Sequence, residues 1–191
     1  MSVRRMGSWI LAVALIAASA LVLFLSKRLR DLSADYRKLR LHSTLPYAGT
    51  VVPTFRTVTL AGNSVMVGEA PDSAAREVLF VFNTTCPYCR GIIPLWHQVT
   101  DSVKGLGRPV QVLAISLDSA DTTRHYAAAH ALRYPVLTFP QPKLKPLYRA
   151  VAVPQTVVLD WRGTVLYAKT GTLDSASLDS VYAAVTGRSR Q

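Results

Sequence analysis

One stretch constrains this chain more than any other. Five consecutive apolar, β-prone residues, Val78-Leu79-Phe80-Val81-Phe82, are followed after three residues by Cys86-Pro87-Tyr88-Cys89. An uninterrupted apolar run of that length reads as a strand buried on both faces, which requires a sheet with layers packed on each side. Pro87 suits the first turn of a helix, where its missing N–H is not needed. A helix is therefore expected from about Cys86 to Val103, ended by Gly105-Leu106-Gly107-Arg108-Pro109. The Cys-x-x-Cys pair then falls at a strand-to-helix junction, where free backbone N–H groups and the helix dipole favour the thiolate form of Cys86. Arg90 adds a nearby positive charge. Cys89, about one turn further on, is placed to attack a mixed disulfide formed at Cys86.

The flanking sequence supplies the rest of a domain starting near Pro53. Phe55 to Leu60 and Ser64 to Val67 flank Ala61-Gly62-Asn63 and predict a hairpin. Val110 to Ser116 predicts a second buried strand, and Thr122 to Leu132 a helix with Asp121 available as its N-cap. Pro140, Pro142 and Pro146 then break the chain around a short helical piece ending near Ala150. Gln155 to Asp160 and Thr164 to Lys169 read as a hairpin, and Asp174 to Thr186 as an amphipathic helix. Strand, helix, strand, helix, antiparallel hairpin and terminal helix describe an α/β sandwich with a central mixed sheet flanked by helices.

Other roles for the two cysteines fit less well. Structural zinc needs two more ligands; there is no second Cys pair, and His125 and His130 are five apart, so no metal is expected. A static disulfide across a two-residue loop constrains little of the unfolded chain. Two reduced core cysteines remain an alternative, which the strand-to-helix position disfavours.

The N-terminus has a different character. Trp9 to Leu25 carries no charge and one polar side chain, Ser19, so a helix here satisfies its own backbone in lipid. A cleaved signal peptide is the rival, since Ala18-Ser19-Ala20 has the form of a cleavage site; but the apolar core continues through Leu21 to Leu25. Of the net charge of +11, more than half sits in this quarter: Arg4, Arg5 and six basic residues between Lys27 and Arg40, against Asp31 and Asp35. Basic residues beside an apolar run point to lipid, and without interleaved aromatics they give no support to nucleic-acid binding. Counted alone, the flanking charges place the C-terminal domain in the cytoplasm. Residues 27–52 read as a basic stalk and linker, in which Leu29, Leu32, Tyr36 and Leu39 are spaced for a short seam. The expected organisation is an anchor at 1–26, the stalk, a folded domain at 53–187 and a tail at 188–191.

In combination, these residues resemble the thioredoxin superfamily, in particular its membrane-anchored, TlpA/ResA-like thiol-disulfide oxidoreductases. The resemblance runs from about Val52 to Gly187. It rests on Val52-Pro53-Thr54-Phe55, the strand leading into Cys86-Pro87-Tyr88-Cys89-Arg90, Pro94, Ile115-Ser116-Leu117-Asp118, and Val153-Pro154-Gln155-Thr156 with the hairpin that follows. It implies a thioredoxin-like domain with a cis Val153–Pro154 bond beside the cysteines, catalytic Cys86 and Cys89, and a substrate surface of Pro87, Tyr88, Val153 and Pro154. It implies no cofactor beyond the redox-active cysteine pair. The implied partners are protein thiols and disulfides, a membrane thiol donor or acceptor, and the bilayer. The implied location is the extracytoplasmic face of a bacterial inner membrane, with cytochrome c maturation among the roles of such proteins.

Three positions depart from the family pattern. Thr85 stands where many relatives carry Trp, Phe80 where thioredoxins carry a buried Asp, and Ile92 where ResA-like proteins carry Glu. The proton acceptor for Cys89 is thereby left unassigned. Glu77, Asp118 and His97 are polar candidates, read respectively as a strand-edge charge, a loop or cap residue, and a surface or packed histidine. Two rival functions are a peroxiredoxin-like peroxidase, which Asn83 in place of a Thr disfavours, and a non-catalytic binding module built on the same groove.

Overall fold

The computed structural model describes the backbone of residues 3–187, and all their side chains except those of 3–8, 10–12, 14 and 34–43. The expected tail lies outside these residues. The chain divides into two compact units, 1–43 and 44–191.

The first unit is helix α1 (Val3–Thr44). Its described side chains from Leu15 to Leu25 are apolar apart from Ser19, and Leu15, Ile16, Leu23 and Phe24 are exposed. Beyond them Lys27, Arg28, Arg30 and Asp31 interrupt the run. Among the described residues no helix is long and apolar enough to cross a membrane. Of the expected anchor at 1–26, residues 1–2 and the side chains of 3–8, 10–12 and 14 lie outside the described residues, as do the side chains of Tyr36 and Leu39 of the expected seam.

The second unit is built on β3 (Arg76–Phe82), the middle of a five-stranded sheet. On one side of β3 come β4 (Val110–Ser116) and β5 (Val136–Thr138), both parallel. On the other come β6 (Gln155–Asp160) and β7 (Val165–Thr170), joined antiparallel. The order is β5-β4-β3-β6-β7, a mixed sheet as expected. Every residue of β3 after Arg76 is buried, because alternate side chains enter two separate cores. Val78, Phe80 and Phe82 face a cluster with α2 (Pro87–Val103) and α5 (Ser175–Thr186), which includes Trp96, Val99, Val181 and Val185. Leu79 and Val81 face the other layer, with Val67, Leu137, Leu144 and Tyr148. That layer holds the expected hairpin, β1 (Phe55–Val58) and β2 (Ser64–Val67), and α3 (Ala120–Ala129) and α4 (Leu144–Leu147) complete the element list.

Two expectations are corrected. The N-cap of α3 is Ser119, not Asp121: the Ser119 hydroxyl accepts from the Thr122 N–H at 3.3 Å, while Asp121 sits in the first turn and pairs with Arg124 at 2.7 Å. The helix also stops earlier, since Ala131 adopts φ 47°. Glu77 is no strand-edge charge. Its strand is central, its side chain is buried, and its carboxylate accepts from the Gly68 N–H at 2.8 Å and from Gln111 Nε2 at 3.4 Å. Burial is the dominant influence and pushes this carboxyl up to about 7.

Candidate active site

The parallel pairing of β3 with β4 brings the loops after Phe82 and Ser116 side by side, and the cysteines emerge from the first of them. Cys86 is the N-cap of α2, with extended backbone (φ −81°, ψ 115°). Its sulfur accepts from the Cys89 N–H at 3.3 Å, so the capping group is the sulfur of the expected nucleophile. Its carbonyl takes the N–H groups of Cys89 at 3.1 Å and Arg90 at 3.3 Å. Pro87 occupies the first helical turn as the sequence predicts, and Pro94 lies inside the helix.

The two sulfurs have different environments. Cys86 is partly exposed and Cys89 fully buried, and both are free thiols. Burial chiefly, then hydrogen bonding to Cys86, pushes the Cys89 thiol up to about 12. The Asn83 main-chain N–H acts the other way, and the Cys86 and Asp118 charges raise it a little further. At neutral pH Cys89 is therefore a thiol, while Cys86 is the sulfur partly open to solvent.

The sequence-predicted substrate residues converge on Cys86. The Val153–Pro154 bond is cis, and the Val153 carbonyl lies 3.9 Å from the Cys86 sulfur. Tyr88 is 68% exposed and Pro87 is exposed beside it. The wall is held by Trp96, whose Nε1 donates to Thr156 Oγ1 at 2.9 Å and so ties α2 to the strand that follows Pro154. Beneath the cysteines Phe80 and Ile92, at the family's carboxylate positions, are buried, and Phe80 stacks on Trp96 at 4.8 Å. His97 is a packed histidine, edge-on to Tyr134 with Nε2 buried and unpaired, and its burial lowers its pKa.

Two residues count for more here than the sequence reading gave them. Asp118 is a loop residue, as expected, but its carboxylate accepts from Thr84 N and Thr84 Oγ1, both at 2.7 Å, and from Asn83 Nδ2 at 2.9 Å. It clamps the segment that leads into Cys86. The available signal was its place, two residues past a strand parallel to β3. Tyr126 of α3 stacks on Phe82 at 5.5 Å with its hydroxyl buried and unpaired. Burial and then the Cys89 charge raise its pKa. Among the described residues no group of three or more His, Cys, Asp or Glu is placed to hold a metal ion. A cavity of about 640 Å³ has Glu77, Gln111, Tyr134 and Trp161 in its wall and includes neither cysteine.

A mixed sheet between helices, with a cysteine pair at the start of a helix facing a cis-proline, defines a thioredoxin-like protein. The AhpC/TSA family profile matches residues 48–168, and the chain belongs to that family. Similar solved structures share this fold. One is a thiol:disulfide interchange protein of the thioredoxin family from Chlorobium tepidum (24% identity, TM-score 0.57, covering 73% of this chain and 99% of that one). Others are StoA from Bacillus subtilis (17%, 0.57, 69% and 98%) and a secreted Mycobacterium tuberculosis disulfide oxidoreductase homologous to E. coli DsbE (19%, 0.53, 70% and 95%). No curated protein matches the sequence.

Proposed function

We propose that this chain is a thiol-disulfide oxidoreductase, anchored in a bacterial inner membrane through the apolar run Trp9–Leu25, that exchanges disulfides with protein partners on the extracytoplasmic side. The observation that carries the chemistry is the asymmetry of the pair: an accessible Cys86 capping a helix, and a buried, protonated Cys89 hydrogen-bonded to it. As a reductant, the Cys86 thiolate bonds to one sulfur of a partner disulfide, and the other partner sulfur leaves as a thiolate. Cys89 then loses its proton and bonds to the Cys86 sulfur, the mixed disulfide breaks, and the second partner thiolate leaves. Two electrons have passed to the partner, and Cys86–Cys89 is a disulfide until a membrane thiol donor reduces it. As an oxidant, the same steps run backwards.

The Val153 carbonyl beside Cys86 and exposed Tyr88 supply a surface for an extended partner segment. The names of the similar structures agree with disulfide exchange, and reduction of apocytochrome c thiols is one specific form of it. The buried apolar pair Phe80 and Ile92 removes both family carboxylates, the one feature that favours a non-catalytic binding module. Insulin reduction by the full-length protein in detergent separates the two: turnover that Cys86→Ser abolishes supports exchange, and equal rates for both proteins exclude it. For the location, a membrane-impermeant thiol reagent is expected to label reduced Cys86 in intact cells; labelling only after lysis would place the domain in the cytoplasm.

A further inference from the structure

The loop that carries the Val153 carbonyl starts from a residue in an uncommon conformation. Helix α4 ends at Leu147, and two residues later Arg149 adopts φ 52°, a left-handed backbone that disfavours a side chain and that glycine takes freely. The end of the helix calls for that conformation. The Arg149 N–H donates to the Pro146 carbonyl at 3.0 Å and the Ala150 N–H to that of Lys145 at 2.9 Å, which satisfies the last carbonyls of the helix. Termination alone favours glycine, so an arginine held there directs attention to its side chain. Its Nη1 donates to the Leu45 carbonyl at 3.2 Å, and its guanidinium lies over the Tyr47 ring, 4.8 Å from the centre. Both partners belong to the segment that leads into the domain. Tyr148, buried beside Arg149, reaches the same segment, with its hydroxyl donating to the Pro53 carbonyl at 2.7 Å. In the other direction, the Arg149 carbonyl accepts from Nε2 of the fully buried Gln155 at 3.0 Å. Residues 149–155 therefore form a loop closed at its neck, and within it the Val153 carbonyl stands 3.9 Å from the Cys86 sulfur.

We propose that Arg149 is a positioning residue for the protein partner: by gripping Leu45 and Tyr47 with its side chain and Gln155 with its carbonyl, it fixes the 149–155 loop so that the Val153 carbonyl faces an extended partner segment beside Cys86. This rests on the disulfide-exchange reading above and deepens it, naming what holds the partner's side of the site. A loop already fixed in its bound form spares the partner the entropy of ordering it, so the grip strengthens binding. Cys86 is held separately, as the N-cap of α2. The grip therefore governs how well a peptide docks and leaves the intrinsic reactivity of the sulfur alone. It also makes the segment at Leu45 and Tyr47, which follows α1, part of the support of the partner surface.

Two substrates separate docking from reactivity in the full-length protein in detergent. Insulin, with dithiothreitol as the recharging thiol, presents a peptide segment. Dithiobis(nitrobenzoate), a small disulfide with no peptide to pair, reports attack by Cys86 through the first nitrothiolate released. Arg149→Gly removes the side chain and suits the left-handed backbone, so it tests the grip without straining the fold. It is expected to raise KM for insulin about fivefold, what one main-chain hydrogen bond contributes, with kcat and the first nitrothiolate release each within about twofold. Tyr47→Ala should raise KM in the same way, and the double variant should bind no more weakly than Arg149→Gly, because both act through one contact. An unchanged KM in Arg149→Gly, a fall in kcat in its place, equal slowing with the small disulfide, or multiplying effects in the double variant would overturn the proposal. Cys86-dependent insulin reduction that survives any of these results leaves the function standing. A wild-type protein that reduces no insulin overturns both.

Discussion

The two ends of β3 make the most instructive comparison in the molecule. Each carries a titratable group driven away from its charged form by burial, Glu77 at the start of the strand and Cys89 just past its end. Glu77 is met by the Gly68 N–H and Gln111 and fastens the β1–β2 hairpin to the sheet. Cys89 is met by Cys86, whose sulfur accepts the Cys89 N–H at 3.3 Å, and Cys86 remains partly open to solvent. The same physics makes a structural joint at one end and the proposed reactive pair at the other. The difference is whether the buried group's partner can be reached from outside.

The sharpest way to break that comparison is at the reactive end. Cys86→Ser is expected to remove disulfide exchange entirely while changing unfolding free energy by about 1 kcal/mol or less, since it leaves the helix a hydroxyl cap. Loss of stability comparable to Cys89 burial would mean the pair is structural. The next largest effect belongs to Glu77. Its carboxyl is raised from 4.5 to about 7 on folding, so the folded chain holds the proton more tightly than the unfolded one. The stability this provides is complete below the unfolded value and is lost as pH rises towards and through 7, about 3 kcal/mol in all. Denaturant unfolding as a function of pH should show this slope, and Glu77→Gln should flatten it without altering exchange at Cys86.

Gly163→Ala is a smaller test of the same joint. Gly163 has φ +76°, and an added Cβ would lie 2.6 Å from the Gly68 carbonyl oxygen and 2.9 Å from that of Val52, backbone that has no room to move. A loss of about 2 kcal/mol is expected in denaturant unfolding. The smallest expected effect is at α3, where Ser119→Ala removes an exposed cap and should lower stability by about 1 kcal/mol with exchange unchanged.

Much of this architecture was legible from the residues. The five apolar residues from Val78 to Phe82 announced a central strand because burial on both faces leaves no polar alternation. Pro87 announced the helix start because a proline suits the first turn, where its missing N–H is not needed, whereas the capping role of Cys86 depends on its extended backbone. The strand order was not legible, since it depends on which segments meet across long connections. Glu77 was misread because a charge at the head of an apolar run looks like an edge, and only the strands on both sides of β3 make it central. Asp118 was undervalued for a related reason. Its partners Asn83 and Thr84 are over thirty residues away in the chain and become neighbours only through the parallel β3–β4 pairing. The cis bond before Pro154 came from family resemblance alone.

The most direct measurement is capture of the intermediate. Full-length Cys89→Ser protein, reduced and then mixed with insulin, is expected to accumulate a covalent adduct joined through Cys86, visible by mass spectrometry and released by dithiothreitol. No adduct, or an equal adduct from the variant that also carries Cys86→Ser, would contradict a nucleophilic role for Cys86.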